Sequence, residues 1–506
     1  MKVSSLFLFS ALLLLDTAAA SPSAKPGKKK KKDWGNKKPK NFIMVIPDGF
    51  GPTSELMARD YVHWKDNSTT MLPVDGLIIG QTRTKSSDSY VTDSSASATA
   101  YSAGIKTYNG GVGVDSTFTP YATVLESLSL QGFKTGLVVT SRITHATPAS
   151  YIAHTHHRDL ESNIALQLIG HAHPLGRRVD LILGGGSCHF LPSTTPGSCR
   201  PDSTDAFTLA KGLGYNVFQT RSEFDKNPKL PYLGLFTRDH MSYEIDRDSA
   251  KEPSLKEMAI RALNDLYSAT RKSKQGFFVM VEASRIDHAG HANDPVAHLH
   301  DILAFNEAMD AIREWIDGHE DSPTTMVATA DHECGGLTVG GDIPQDPSYW
   351  YAPSWFAGSR ASAGVLAKRF LAFTGSDEEK KKFLREEVLK PYGISDATDA
   401  EIQEAAKITS SGKLETWLGK AMGDRARVYW STGGHTGADV TLYGYGPKVE
   451  EFAGHRENTE VADFIVDLFG LNLESVSRKL RKNQTWVDEW VKPAKGETMK
   501  ASVHGH

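Results

Sequence analysis

Carboxylates and imidazoles recur at one kind of place in this chain, just after short apolar runs. FIMVIP runs into Asp48, FFVMV into Glu282 and then Asp287, His288 and His291, MVATA into Asp331 and His332, and GLVVTS leads on to His145 and Thr147. One acid after a strand is ordinary turn chemistry; four strands ending this way describe a metal centre. Asp/His mixtures with no cysteine pair suit Zn2+ in catalytic rather than structural coordination. An Asp/Glu/Thr oxygen set suits Mg2+, which also keeps waters. The chain therefore offers a nitrogen-rich and an oxygen-rich location.

A nucleophile for such a centre lies within Val91–Ala100 (VTDSSASATA). Its small residues predict a close-packed helix with Thr92 or Asp93 near the cap. Ser94 then sits at the positive end, where backbone N–H groups favour an anion. A serine hydroxyl is a poor nucleophile until a metal or base activates it. No Gly-x-Ser-x-Gly turn surrounds Ser94, which argues against Ser/His/Asp hydrolase chemistry.

The positioning elements follow from the apolar pattern. Continuous runs at 42–46, 136–139, 179–183, 277–281, 326–329 and 440–443 suit strands buried on both faces. Helix-period segments at 122–130, 255–267 and 297–316 lie between them. The alternation implies an α/β fold, a three-layer sandwich around a mostly parallel sheet. Such sheets place function beyond the C-terminal ends of their strands. Residues 338–430 differ: Trp350, Tyr351, Trp355 and Phe356 cluster early, and charged helical stretches follow at 377–390 and 396–420. This block reads as an inserted subdomain, a lid, an oligomer contact or a surface excursion, within a catalytic domain spanning 41–480. Residues 481–506 read as a C-terminal tail.

The chain has 506 residues, 39% of them hydrophobic, ample for a large core, and a net charge of −4 that gives no sign of a nucleic-acid partner. Residues 1–20 read as a signal peptide, with Lys2, an apolar run from Leu6 to Leu15, and Ala18 to Ala20 at the cleavage end. That run spans only about half of a bilayer core, so a membrane anchor is not indicated. Residues 21–40, with a lysine run from Lys28 to Lys32, read as a disordered linker. A secreted product is expected, with vacuole or cell wall as alternatives. In that setting Cys188 and Cys199, which bracket a Pro/Ser/Thr/Gly-rich loop, are expected to form a disulfide. Cys334 is then left over, as a small packing residue beside the Asp331–His332 pair or, alternatively, a zinc ligand. Sequons at Asn67 and Asn483 are candidate glycosylation sites.

Taken together, Asp48-Gly49, Thr92–Lys106 (TDSSASATAYSAGIK), Thr144–Pro148 (THATP), Glu282–His291 (EASRIDHAGH), Thr329–Gly336 (TADHECGG) and Gly434–Gly437 (GHTG) resemble the alkaline phosphatases, in that family's order. The resemblance implies hydrolysis of small-molecule phosphate monoesters at alkaline pH, with a phosphoserine on Ser94. It implies two zinc ions, one held by Asp287, His291 and His435 and the other by Asp48, Asp331, His332 and Ser94. A third metal, usually magnesium, would take Asp48, Thr147 and Glu282. Arg158, matched to a position in a helix after Pro148, would grip two phosphate oxygens in a fork, and Asp93 would orient it. His145 and His288 stand where some bacterial members carry Asp and Lys and animal-like members carry His. The pair is thereby implied to modulate the third metal and loosen the hold on phosphate. A homodimer is expected by analogy. A phosphodiesterase or sulfatase of the same superfamily would show a Thr, or a Cys/Ser-x-Pro-x-Arg pattern, at the nucleophile; neither occurs at Ser94. A phosphate-binding protein without turnover would lack one of these residues.

Overall fold

The computed structural model describes residues 34–69, 71–341 and 349–494. The expected signal peptide at 1–20 and most of the expected linker lie outside the described residues. The end of that linker is anchored rather than disordered. Trp34 packs edge-on against Tyr445 at 5.9 Å between ring centroids, and Lys40 Nζ donates to the Thr270 carbonyl at 3.0 Å. An aromatic ring close to the sheet finds apolar surface that the lysine-rich stretch before it does not offer.

In chain order, β1 (Asn41–Pro47), β2 (Ile78–Arg83), β3 (Lys134–Arg142), β4 (Leu181–Gly185), β5 (Asn216–Phe218), β6 (Tyr232–Leu235), β7 (Phe277–Ala283) and β8 (Thr324–Thr329) come first. Four short strands follow, β9 (Glu333–Cys334), β10 (Leu337–Val339), β11 (Val428–Trp430) and β12 (His435–Thr436), then β13 (Val440–Tyr445) and β14 (Gly454–Glu457). The main sheet has ten strands in the order β14-β2-β13-β8-β1-β7-β3-β4-β6-β5. All neighbours run parallel except β13, which is antiparallel to β2 and β8.

Side chains alternate across a strand, and β1 uses both faces. Ile43 and Val45 enter one apolar cluster with Met258, Leu263, Ile302 and Phe305; Phe42, Met44 and Ile46 enter the other with Ala98, Tyr101, Leu125 and Leu128. The first cluster lies under helices Leu255–Thr270 and Pro295–Gly318, the second under Ser94–Ala103 and Val124–Leu130. These are the three layers that the unbroken apolar runs imply.

Two features bring the end of the chain to the centre. Because β13 runs backwards, its first residue lies at the same sheet edge as the last residues of β8 and of the parallel strands beyond it, so β12, just before it, pairs with β9 there, His435 opposite Cys334. The block at 338–430 leaves through β10 and returns through β11, which pair Leu337 with Trp430 and Val339 with Val428. Within it Phe356, Leu366, Val388, Leu414 and Met422 belong to the main core cluster, and buried Asp294 accepts hydrogen bonds from Tyr392 Oη (2.8 Å) and Ala363 N (2.7 Å). The helical block is thus packed onto the sheet domain.

Cys188 and Cys199 are disulfide-bonded, with Cα atoms 5.0 Å apart. Asn67 and Asn483 are both exposed. The expected tail from 481 is in fact folded as far as Val491, with Trp486, Val487 and Val491 buried. Among the described residues no helix is long and apolar enough to cross a membrane.

A fully buried ion cluster lies away from the sheet edge. Glu126 Oε2 accepts from Thr123 N (2.7 Å) in a capping box, while Oε1 faces His154 Nε2 at 3.1 Å and His173 Nε2 at 2.9 Å. His154 Nδ1 donates to the Gly113 carbonyl (2.8 Å), so donation from Nε2 as well makes it an imidazolium, and its pKa is raised accordingly. Burial alone would raise Glu126, but His154 and His173 outweigh it and hold its carboxyl far below the usual range. Replacing Glu126 with Gln leaves a buried imidazolium without its counter-charge. Thermal or urea unfolding at neutral pH is expected to show a loss of about 3 kcal/mol; an unchanged midpoint would contradict the ion-pair assignment.

Candidate metal centre and active site

The ligand-type residues picked out by sequence converge on one sheet edge. Strands β8, β1, β7 and β3 are adjacent, and their C-terminal ends deliver Asp331–His332, Asp48, Glu282 with Asp287–His291, and His145–Thr147. Register makes this local: Ile46 lies opposite Glu282, and Glu282 opposite Val139. Gly49 turns the chain after Asp48 with φ +71°, and a Cβ there would stand 2.6 Å from Asp287 Cα. Only glycine allows both that backbone and that approach.

Two carboxylate–imidazole groups form side by side. In one, His291 Nε2 lies 3.0 Å from His435 Nε2 and 3.4 Å from Asp287 Oδ2, and His435 Nε2 lies 3.5 Å from Asp287 Oδ1. In the other, His332 Nε2 lies 3.2 Å from Asp331 Oδ2 and 3.7 Å from Asp48 Oδ1. The rings of His332 and His435 stack at 3.4 Å, so the groups are contiguous. His291 Nδ1 donates to Gly433 O (2.7 Å) and His435 Nδ1 to Thr92 O (2.8 Å), which leaves the Nε2 lone pairs facing the cluster. That is the outer hydrogen bond characteristic of metal-ligating histidines.

Buried oxygens lacking donors mark the same place. Both oxygens of Asp48 and of Asp287, Asp331 Oδ2, Glu282 Oε1 and Thr147 Oγ1 have no hydrogen-bond partner. Glu282 spends its other oxygen on Ser284 Oγ (2.7 Å) and Ser141 Oγ (3.1 Å), and Asp331 its Oδ1 on Gly49 N and His332 N. Orphaned buried carboxylate oxygens are costly unless a cation takes them. Burial and the neighbouring charges of Asp331, Asp287 and Glu282 push Asp48 well above the carboxylate range, and burial with Asp331 raises Glu282 to about 7. At Asp287 burial works upward too, but His291 and His435 outweigh it and hold the group well below. The donor set thus fits divalent cations, with nitrogen-rich ligation at Asp287/His291/His435 and oxygen-only ligation at Asp48/Thr147/Glu282.

Ser94 opens the helix Ser94–Ala103, with Asp93 as its N-cap, and its Oγ lies 3.2 Å from His332 Nε2. Asp93 is a hub: Oδ1 accepts from Ala96 N (2.9 Å), while Oδ2 accepts from Ser95 Oγ (2.7 Å), Gly110 N (2.9 Å) and Arg158 Nη1 (3.1 Å). Arg158 is buried and also donates from Nη2 to His145 Nε2 at 3.0 Å. It does not stand in a helix, as the sequence reading had it. It occupies a turn between the short helices Ala146–Ala149 and Glu161–Leu168, because the backbone N–H groups of Thr155 and Arg158 are spent on Val112 and Gly110 of a neighbouring loop.

Sequence reasoning missed His240. Its ring lies 4.1 Å from His288 and 5.3 Å from His145, and those two are 5.4 Å apart, making a three-imidazole corner beside Arg158. His240 follows β6, so the same strand-then-ligand signal was present, but the run YLGL is short and contains a glycine. Cys334 packs among Asp287, His291 and His435, and burial pushes its thiol pKa well up. The group Glu126, His154 and His173 is no comparable centre. His173 Nδ1 accepts from Leu175 N (3.2 Å), which keeps the proton on Nε2.

A cation at Glu282 must displace a proton for as long as the carboxyl stays protonated. Because burial raises that group to about 7, cation affinity at the oxygen-only set is expected to fall about tenfold per pH unit below about 7, for each carboxyl that must ionise. Above that value Glu282 adds no further gain. Titrating chelator-stripped protein with Mg2+ from pH 5 to 9 checks this; a flat profile contradicts it. Each ion held at 100 times its Kd adds about 2.7 kcal/mol, so EDTA is expected to lower Tm by several degrees.

Comparisons with known proteins identify the family. The family model for alkaline phosphatase matches residues 39–471. The repressible alkaline phosphatase of Saccharomyces cerevisiae is 38% identical over 479 residues, covering 88% of this chain and 84% of that protein. The Thermus thermophilus alkaline phosphatase structure superposes with a TM-score of 0.74 at 28% identity, covering 91% of this chain and 100% of that one. A variant of the TAB5 alkaline phosphatase from an Antarctic bacterium, solved with Mg bound in its M3 site, superposes with a TM-score of 0.61 at 26% identity, covering 87% and 100%. This chain belongs to the alkaline phosphatase family.

Proposed function

We propose that this enzyme hydrolyses phosphate monoesters at alkaline pH through a phosphoserine on Ser94. The observation that carries the reading is the place of Ser94 Oγ. It stands at a helix N-terminus, 3.2 Å from His332 Nε2 and beside the Asp93–Arg158 pair. Asp287, His291 and His435 would hold one zinc ion, and Asp48, Asp331, His332 and Ser94 a second. Asp48, Thr147 and Glu282 would hold magnesium. Bound there, the ions supply positive charge, lower the pKa of the serine hydroxyl and of water, and stabilise the departing oxygen.

The chain's own residues then divide the work. Ser94 Oγ bonds to phosphorus as the bond from phosphorus to the alcohol oxygen breaks, giving phosphoserine and alcohol. Water attacks the phosphoserine, the Ser94 Oγ–P bond breaks, and phosphate leaves with Ser94 restored. Arg158 offers a planar fork to two non-bridging oxygens, a match lysine does not provide. Asp93 holds that fork while capping the helix that carries the nucleophile. The buried setting strengthens each of these electrostatic contacts and fixes them before substrate arrives. His145 and His288, joined by His240, border the oxygen-only set and Arg158. Imidazoles there supply no fixed negative charge for a third ion, which favours weaker retention of both that ion and phosphate. Secretion is supported by the signal-like first 20 residues and by the Cys188–Cys199 bond, since disulfides persist in oxidising compartments.

Replacing Ser94 with Ala is expected to lower kcat on p-nitrophenyl phosphate by several orders of magnitude with Tm nearly unchanged. Near-normal turnover would refute the nucleophile assignment. Comparison with bis-p-nitrophenyl phosphate and p-nitrophenyl sulfate separates a monoesterase from a diesterase or sulfatase.

A further inference from the structure

Arg158 has no helix or strand of its own, yet its guanidinium meets Asp93 and His145 in fixed geometry. Its support comes from two sides. On one side lies the loop after the Ser94 helix. Arg158 N donates to Gly110 O (2.9 Å), Val112 and Thr155 exchange backbone hydrogen bonds at 3.1 and 2.9 Å, and Gly113 N donates to Thr99 Oγ1 (3.0 Å). On the other side lies the end of the described chain. Two residues before Arg158, His156 donates from both its backbone N (2.8 Å) and its Nδ1 (3.1 Å) to the Val491 carbonyl.

That carbonyl is itself held firmly. The segment Asn483–Val491 is short, but Trp486, Val487 and Val491 are buried in one apolar cluster with Tyr108, Val114 and Ala122 from the loop after the Ser94 helix. Trp486 donates from Nε1 to Ala172 O (2.7 Å), and its ring packs against His154 and His173, each at 5.9 Å. Tyr108 Oη donates to His156 O (2.7 Å), so both polar ends of the His156 backbone are fixed.

We propose that Asn483–Val491 is a strap that positions Arg158, and so sets how tightly the enzyme holds phosphate. A two-point fork tolerates little displacement, since shifts near 1 Å at a site of this kind cost up to about 100-fold. The strap fixes the backbone two residues from the fork and touches neither substrate nor metal ligands, so Trp486 and His156 are positioning residues. The inference rests on the reading of Arg158 as the phosphate-gripping residue.

The test uses full-length, metal-loaded enzyme and measures kcat, KM for p-nitrophenyl phosphate and the inhibition constant of inorganic phosphate. Trp486→Ala is expected to raise KM and the phosphate inhibition constant together, on the order of tenfold, with a smaller change in kcat. Trp486→Phe is expected to restore most of the affinity. In an Arg158→Ala background the Trp486→Ala shift should largely vanish, because the group it positions is gone. If Trp486→Ala does not fold, His156→Phe carries the test; it keeps a ring against Phe118 and removes the Nδ1 donor. Unchanged KM and phosphate inhibition alongside a lowered Tm would overturn the strap, as would an equal shift with and without Arg158. If Arg158→Ala alone leaves phosphate inhibition unchanged, the reading of Arg158 fails instead.

Discussion

Four carboxyl groups, those of Asp48, Glu282, Asp287 and Asp331, lie almost wholly out of water at one sheet edge, with imidazoles packed among them. Taking one such charge from water costs several kcal/mol even after relaxation, and crowding four together adds repulsion. The raised pKa values at Asp48 and Glu282 express that tension. The rest of the structure bears on how the chain keeps this arrangement: a rigid sheet that prevents the acids from parting, outer hydrogen bonds that aim each histidine, and orphaned oxygens directed at shared points. In the proposed enzyme, divalent cations turn the same tension into binding energy.

The sheet is suited to this task because its four central strands are neighbours as well as parallel. Adjacent parallel strands end at one level, so residues far apart in sequence arrive within a few ångströms of each other without long loops. The nucleophile reaches the same level by another route. The Ser94 helix packs against the sheet through Ala98 and Tyr101, and Tyr101 Oη donates to Ala330 O (2.5 Å), one residue before Asp331. That bond joins the helix of the nucleophile to the ligand loop directly.

Much of this was legible in the sequence because the strands are buried on both faces and their ends carry charge. FIMVI followed by Asp48 needs no partner to be recognised, and the order of motifs from Asp48 to His435 pointed to the family. Other parts were not legible, because their signals are weak or non-local. His240 follows a strand too short and too glycine-containing to register as one. Arg158 was expected in a helix because the family resemblance matched it to a helical position, yet cross-loop hydrogen bonds from Arg158 to Gly110 and from Thr155 to Val112 hold it in a turn. The segment at 483–491 looked like a tail because three buried side chains among polar neighbours leave no periodic signature. The backward run of β13, which delivers His435, depends on pairing that no local pattern encodes.

That backward strand has a consequence for biosynthesis. A ribosome makes this chain from its first residue onward, so Asp48, the Ser94 helix and the acids after β7 and β8 exist well before β13 does. Until that strand inserts between β2 and β8, the pocket at Asp287 and His291 lacks its neighbour from β12, and β2 and β14 have no route to the rest of the sheet. A nascent or truncated polypeptide stopping short of residue 435 therefore has an open sheet edge at β8 and lacks His435 from the centre. In the proposed enzyme, hydrolytic competence then waits on the last strands threading home.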